Sequence, residues 1–404
     1  MDNTQTLALV KTRLHCLALF RGLLTQDESL AAFLALLDAL DKTDVESTAN
    51  LYCAFVAALY KHGGDFGAHL LNLVLQTETP ALQLQIQGKP LPQPMADSLA
   101  SELETFSLVS SLKPAQLAAL VGNAPFLPRW QNSPANFDEH YHQRLQQGST
   151  KGYGIFAAHH MFVLGQNTTL LPVKNPDPQR LAGLTGYAGE RAQILTNTKA
   201  LLNGLPANNI LLYGDAGTGK SSTVKALANE YYQSGLRLIE VRKNQLYQIP
   251  ALMDMLAENP LKFILFIDDL SFPADDGNFT ELKAILEGNI AARPGNMVVY
   301  ATSNRRHMVT ERFSSRQGDD LHQSDTREEE ASLAARFGLT ITFLRPDKDL
   351  YIEIVQNLAA EMNLQTPMPT LLAGAEAHAI RHGGRSPRTA RQFVEYMKAV
   401  EQEA

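Results

Sequence analysis

Residues 209 to 222 read Asn209-Ile210-Leu211-Leu212-Tyr213-Gly214-Asp215-Ala216-Gly217-Thr218-Gly219-Lys220-Ser221-Ser222. The first part, from Ile210 to Tyr213, is a short apolar run that predicts a buried parallel strand. The residues from Ser222 to Tyr231 predict a helix. Between strand and helix, every fixed position of the pattern G-x-x-x-x-G-K-[ST] is filled, by Gly214, Gly219, Lys220 and Ser221. A complete motif in this strand–turn–helix context predicts a phosphate-binding loop.

The residue types in this loop suit a nucleoside triphosphate. Glycines allow backbone N–H groups to turn inward onto phosphate oxygens, and the N-terminus of the following helix favours an anion. Lys220 can reach the β- and γ-phosphates, and the hydroxyl of Ser221 can ligate Mg²⁺. We therefore expect residues 214–222 to bind the nucleotide. The alternative, a glycine turn that arises by chance, leaves the complete motif unexplained.

Two carboxylates follow the apolar run from Phe263 to Ile267. Asp268 and Asp269 stand where this strand ends, and open α/β sheets bind ligands at the carboxyl ends of their strands. Asp268 is expected to hold Mg²⁺ opposite Ser221, and Asp269 to polarise the attacking water. The alternative is that the paired aspartates cap the next helix, which is a common use of such residues.

Another apolar strand, Val298 to Ala301, ends in a polar tip that includes Asn304. If this strand lies beside the others, Asn304 can orient the water or contact the γ-phosphate. Arginines stand nearby in the sequence and further on, at Arg305, Arg306, Arg336, Arg385 and Arg388. A guanidinium group can meet the charge that spreads over the phosphate oxygens in the transition state. Taken alone, each of these arginines is also explained as a solvated surface charge.

The bulk composition is that of a globular protein that can bury a sizeable core. The chain has 404 residues, of which 45% are hydrophobic and 19% charged, so two or three domains are expected. A net charge of −7 argues against binding nucleic acid through the whole surface. No apolar run approaches the ~18 residues that a membrane helix needs. With only two cysteines and no signal-peptide pattern, a cytoplasmic protein without a membrane partner is expected.

The order of patterns along the chain predicts four regions. Residues 1–122 carry helical periodicity and predict an N-terminal, mostly helical domain of unknown role, although Ala81 to Ile86 alternates like a strand. Residues 123–170 predict a linker and a strand-like segment. Strands alternate with helices over residues 171–345, which predicts a parallel sheet covered on both faces. Residues 346–404 carry only helical patterns.

The ordered motifs GDAGTGKS, FILFIDD, YATSN, ARFG and GRSPR together resemble an AAA+ ATPase. More narrowly, LLYGDAGTGKSS, FIDDLSF, YATSNRRH and ARFGLTITF resemble an uncharacterised bacterial AAA+ family defined as a domain of unknown function. The resemblance covers about residues 170 to 404. It implies an α/β fold with a P-loop, a parallel-sheet αβα core and a C-terminal helical lid, and assembly into a ring or partial ring.

The resemblance also implies roles for individual residues. Lys220 and Ser221 match the Walker A positions, Asp268 matches the Walker B magnesium ligand, and Asp269 stands where most AAA+ proteins have glutamate. Asn304 matches the sensor-one position. Further matches are the arginine finger at Arg336, the sensor-two arginine at Arg388 (with Arg385 as the substitute), and the adenine-facing segment at Gly186 and Tyr187.

Two features depart from the family pattern. Aspartate at position 269 is one methylene shorter than glutamate, so the water would sit differently and turnover could be slow. The segment Lys243 to Pro250 has an aromatic residue but no following glycine, unlike the loop with which AAA+ unfoldases grip a polypeptide.

A cluster of basic residues lies beside Asn304 in the sequence and consists of Arg305, Arg306, His307, Arg312 and Arg316. It is explained either as a charged hairpin exposed to solvent or as a nucleic-acid contact.

The sequence thus leads to three functional hypotheses. The first is a homo-oligomeric ATPase that binds ATP and Mg²⁺ and uses hydrolysis to assemble or remodel an unidentified client. The second is an ATP-dependent switch or scaffold with little turnover, for which Asp269 is the reason. The third is a DNA-associated loader, for which the basic cluster is the reason.

Overall fold

The computed structural model describes residues 3–39, 45–122, 124–270, 272–273, 277–287, 294–304, 309–310 and 335–403. The chain divides into two compact units, Met1–Ala158 and His159–Ala404. The basic cluster expected between residues 305 and 316 lies outside the described residues. Among the residues described, no helix is both long and apolar enough to cross a membrane.

The described part of the first unit is built from helices. Its α-helices are α1 (Asn3–His15), α2 (Leu23–Gln26), α3 (Glu28–Asp38), α4 (Val45–Tyr60), α5 (Phe66–Gln76), α6 (Pro80–Ile86), α7 (Gln93–Ser111), α8 (Pro114–Ala118), α9 (Phe137–Gln146), α10 (Gly148–Lys151) and α11 (Ile155–Ala158). Their apolar faces form one core. A cluster of aromatic side chains lies within this core and comprises Phe33, Phe55, Phe66 and Trp130. The prediction of an N-terminal, mostly helical region is confirmed.

The strand-like alternation from Ala81 to Ile86 predicted the wrong structure, because this segment belongs to helix α6. Thr79 caps the helix by accepting a hydrogen bond from the backbone N–H of Leu82. Pro80 occupies the first turn, where its missing N–H is not needed. The cap and the burial of Ala81 and Leu82 outweigh the alternating pattern.

Residues 123–170, expected to form a linker and a strand-like segment, divide between the two units. Trp130, Phe137 and Tyr141 are buried in the core of the first unit, so this part of the segment is not a linker. The segment also contributes a strand, β1 (Met161–Leu164), to the sheet of the second unit. The boundaries proposed for an ATPase core at 171–345 and a lid at 346–404 stay predictions.

The second unit contains a seven-stranded sheet with the order β2-β1-β4-β5-β7-β3-β9. The remaining strands of this sheet are β2 (Leu170–Pro172), β3 (Ile210–Gly214), β4 (Leu236–Glu240), β5 (Lys262–Ile267), β7 (Met297–Ser303) and β9 (Leu339–Phe343). All neighbouring pairs are parallel except β1 with β2. A two-stranded pair is formed by β6 (Phe272–Pro273) and β8 (Val309–Thr310).

One group of helices lies between the strands in the sequence, and a second group follows the last strand. The first group consists of α12 (Ala188–Leu202), α13 (Lys220–Tyr231), α14 (Ile249–Leu256) and α15 (Gly277–Glu287). Three more helices, α16 (Lys348–Glu361), α17 (Met368–Arg381) and α18 (Pro387–Glu403), follow β9 and share a hydrophobic core of their own. The predicted fold class is confirmed in its architecture, an α/β core with a mostly parallel sheet followed by a C-terminal helical region.

Candidate functional site

Three neighbouring strands bring the predicted site residues to one edge of the sheet. Strand β7 pairs in parallel with both β5 and β3, so that Ile267 lies opposite Ala301 and Tyr213 lies opposite Ser303. The phosphate loop leaves the carboxyl end of β3, the two aspartates follow β5, and Asn304 follows β7. Because parallel strands end at the same edge, residues separated by 90 positions in sequence become neighbours.

The phosphate loop needs glycine at the end of β3. Gly214 has a φ of +130°, and a Cβ atom there would lie 2.1 Å from the backbone oxygen of Phe343 on β9. Gly217 and Gly219 also have positive φ angles, of +77° and +90°. These conformations are open to glycine at little cost and allow the loop to turn sharply into helix α13.

Lys220 is the first residue of α13 and is buried, with 4% of its surface exposed. Its Nζ donates hydrogen bonds to the backbone oxygens of Gly214 (3.0 Å) and Asp215 (2.7 Å). Burial lowers the pKa of Lys220 from 10.5 to about 8, although the nearby carboxylates, Asp215 first, favour the charged form. The ammonium group is therefore held at the loop by carbonyl dipoles and lacks full hydration.

One carboxylate oxygen joins the loop to the neighbouring strands. Ser221 Oγ donates to Asp268 Oδ1 at 2.6 Å, and Thr302 Oγ1 donates to the same oxygen at 2.5 Å. A serine hydroxyl and an aspartate carboxylate side by side are the oxygen ligands that Mg²⁺ takes beside bound phosphates, so these residues fit the ion that the fold implies. Thr302 was not predicted as a site residue, and its only signal in the sequence is its place on the polar tip of β7.

Asp269 adopts a left-handed backbone conformation with a φ of +53°. Its N–H donates to Thr302 Oγ1 at 2.9 Å, and its Oδ1 accepts a hydrogen bond from Asn304 Nδ2 at 2.9 Å. A non-glycine residue in this region is uncommon, and aspartate tolerates it better than most. The structure thus brings together Asp269 and Asn304, which the sequence placed on two separate strands.

A cavity of about 390 Å³ opens between the loop and the C-terminal helices. Its lining includes the predicted residues 217–222, Asp268, Asp269, Asn304 and Arg388. The backbone N–H of Arg388 donates to Gly217 O at 3.2 Å, which holds the start of α18 against the loop. Arg391, one turn later, also lines the cavity. Arg385, the substitute for Arg388, instead forms an ion pair with Glu376 at 2.9 Å.

The segment before helix α12 lines the other side of the cavity, through residues that precede the predicted Gly186 and Tyr187. Gly183, Leu184 and Thr185 line it, together with Ile354 and Leu358 of α16. Tyr187 does not: its side chain is buried in the hydrophobic core, and its hydroxyl donates to Leu344 O at 2.6 Å. Gly186 does not line this cavity either, and lies against Leu350.

Arg191 on α12 fixes this segment and was not identified from the sequence. Its guanidinium group donates to the backbone oxygens of Leu184, Thr185 and Gly186 and lines the cavity. Burial lowers its pKa to about 10. Because three carbonyls of one turn converge on a single guanidinium, Arg191 sets the position of the cavity wall.

The remaining predicted residues lie outside the lining of this cavity. The part of the loop next to β3 consists of Gly214, Asp215 and Ala216. The carboxylate of Asp215 accepts a hydrogen bond of 3.0 Å from the backbone N–H of Arg345. Arg336 is helical and half-buried, just before β9. It does not line the described cavity of its own chain.

Solved structures that match part of the chain include RuvB of Thermotoga maritima. The structure described as a Holliday junction branch migration motor is 16% identical, with a TM-score of 0.33, and the match covers 55% of this chain and 72% of that one. Two RuvB mutants are 16% and 17% identical, with TM-scores of 0.39 and 0.38, and each match covers 56% of this chain and 67% of the other. These values transfer no activity or partner. No curated protein matches the sequence.

The family described as "Protein of unknown function (DUF815)" matches residues 157–401. This range is more than half of the 404 residues and contains the whole sheet, the phosphate loop and the C-terminal helices. The chain belongs to the DUF815 family.

Proposed function

We propose that this protein binds ATP with Mg²⁺ in the cavity beside the phosphate loop and hydrolyses the ATP to ADP and phosphate. The observation that carries the proposal is the convergence of Lys220, the Ser221–Asp268 pair and the Asp269–Asn304 pair at one edge of the sheet. Arg388 and Arg391 add positive charge from the opposite side. A cavity with cations around the loop and two carboxylates at its base suits a metal-bound polyphosphate.

In this proposal each side chain has one task. The loop amides and Lys220 hold the β- and γ-phosphates, and the N-terminus of α13 adds its dipole. Asp268 and Ser221 hold Mg²⁺, which neutralises charge on the phosphate oxygens. Asp269 accepts a hydrogen bond from the attacking water and orients it in line with the γ-phosphate, with Asn304 fixing the carboxylate. Arg388 stabilises the negative charge that spreads over the transferred phosphoryl group.

The test is phosphate release by the full-length protein with Mg²⁺ and ATP. We expect the unmodified protein to release phosphate at least about a hundredfold faster than a Lys220→Ala control, since removing one preorganised charge of this kind typically slows a reaction by that factor. If the two proteins release phosphate at the same rate, hydrolysis at this site is wrong.

A second candidate function is an ATP-dependent switch that binds nucleotide and hardly turns over. Its support is Asp269, which is shorter than the usual glutamate and already accepts a hydrogen bond from Asn304. Asp269→Asn separates the two. For the ATPase, release falls about a hundredfold while ATP binding is kept. For the switch, tight binding and slow release are both unchanged.

The proposed consequence of hydrolysis is the assembly or remodelling of a client. Asp269→Asn loaded with ATP would keep the protein in its nucleotide-bound state, and capture of a partner that ADP releases would identify this client. Equal recovery of the same proteins with ATP and with ADP would argue against a nucleotide-controlled client.

A further inference from the structure

Three side chains that the proposed ATPase does not use meet in the N-terminal unit. Asp27 precedes α3, His62 lies in the turn after α4, and His69 lies on α5. Their candidate ligand atoms, one from the carboxylate and one from each imidazole, all lie within 4.8 Å of one another. They come from three elements, so only the tertiary fold brings them together.

Two of the three groups are already held in place. His69 Nε2 lies 2.9 Å from Asp27 Oδ2, and both residues are buried, with 9% and 7% of their surface exposed. The other carboxylate oxygen, Oδ1, accepts hydrogen bonds from Ser29 Oγ at 2.5 Å and from the backbone N–H of Leu30 at 2.8 Å. These bonds fix the carboxylate so that Oδ2 faces His69, as the supporting contacts of a metal ligand do.

The third group stands at the surface. His62 is exposed, and its ring stacks on that of His69 with centroids 4.0 Å apart and an interplanar angle of 20°. A tetrahedral ion with ligands at about 2.1 Å requires ligand atoms about 3.4 Å apart. His62 would therefore approach the other two by at most about 1.4 Å, which a side chain on an exposed turn can do, while Asp27 Oδ2 and His69 Nε2, now 2.9 Å apart, would separate by about 0.5 Å. The same exposure leaves a path for an ion to enter.

We propose that Asp27, His62 and His69 bind one divalent transition-metal ion of the Zn²⁺ type. Two imidazole nitrogens and one carboxylate oxygen form a ligand set that suits zinc, whereas Mg²⁺ and Ca²⁺ prefer oxygen ligands throughout. A fourth position stays open to water or to a side chain. Binding would join the start of α3, the end of α4 and α5, and would stabilise the N-terminal unit against unfolding.

The experiment titrates Zn²⁺ into untagged, chelator-treated full-length protein in excess Mg²⁺, so that the carboxylates of the nucleotide site are already occupied. We expect uptake of one zinc ion, and a rise in melting temperature with zinc concentration. Replacing Zn²⁺ with Co²⁺ should give the visible absorption of a tetrahedral site.

Two variants test the ligands without removing the fold. His62→Ala changes an exposed side chain, and Asp27→Asn keeps an N-cap residue for α3 while removing the charge. Both should weaken zinc binding at least about tenfold. The matched control is His15→Ala, which removes another imidazole paired with a carboxylate, 2.9 Å from Asp38, in the same unit. It should bind zinc like the unmodified protein. If the unmodified protein takes up no zinc, or if His62→Ala binds it as tightly, the site does not exist.

Discussion

At the scale of single residues, the phosphate loop changes the pKa of Lys220. Its ammonium group is buried between backbone oxygens, and its pKa is lowered to about 8 by that burial. Only the protonated form can neutralise phosphate oxygens. The proposed nucleotide site therefore depends on a group that loses its charge just above neutral pH.

We expect ATP to bind about tenfold more weakly at about pH 9 than at about pH 7, because the free protein must then take up a proton to bind. Isothermal titration calorimetry with Mg²⁺-ATP measures this difference. Lys220→Arg is the control, since arginine stays charged over this range and its binding should change little. Equal affinity of the unmodified protein at both pH values would contradict a Lys220 that must gain a proton to bind ATP.

At the scale of secondary structure elements, the site depends on how closely strands β3 and β9 approach. Gly214 ends β3, and Asp215 N–H continues the pairing with Phe343 O at 3.0 Å. There is no room between the strands for a side chain, since even a methyl carbon would lie within 2.1 Å of that oxygen. The phosphate loop is thus fixed to the sheet through its first glycine.

Gly214→Ala should lower the free energy of unfolding by about 3 kcal/mol, through strain at its φ of +130° and through the forced separation of β3 and β9. Urea unfolding followed by circular dichroism measures the shift. Gly189→Ala is the control, because Gly189 lies in helix α12 with nothing within 4 Å of an added Cβ. That change should leave stability equal or raise it by up to about 1 kcal/mol. Similar stabilities for both variants would contradict the packing argument.

At the scale of the whole molecule, the site of one chain collects side chains from three strands, a loop and the C-terminal helices. Arg336 is one of the predicted residues that do not line the described cavity of their own chain. The resemblance to AAA+ ATPases implies that this arginine reaches the nucleotide of a neighbouring subunit. That arrangement would make hydrolysis depend on assembly.

We expect Arg336→Ala and Lys220→Ala proteins, each inactive alone, to regain part of the ATPase activity when mixed. In a mixed assembly, an intact loop from one chain can meet an intact arginine from the other. Phosphate release measured across a series of mixing ratios checks this. A mixture of Lys220→Ala with Asp268→Asn is the control, since each change damages the nucleotide site of its own chain and neither chain retains a working site. No recovery at any ratio would argue against an arginine supplied by a neighbour.

The sequence was sufficient for features whose residues are adjacent in the chain or belong to a regular pattern. The phosphate loop is one contiguous stretch whose glycines and lysine have few substitutes, and Asp268 directly follows an uninterrupted apolar strand. The alternation of strands and helices then predicted the parallel sheet, whose crossovers set the strand order. Local patterns failed where a cap decided the outcome, as Thr79 did for helix α6.

Contacts between distant parts of the chain were decided by the tertiary structure. Thr302 meets Asp268 only because β5 and β7 are neighbours, and Arg191 reaches the turn at Leu184 only because α12 folds back on it. Tyr187, predicted to face the adenine, turns into the core because a buried hydrophobic position with a backbone acceptor suits its ring and hydroxyl. Asp27 and His69 are 42 positions apart and become partners through helix packing, which no local pattern records.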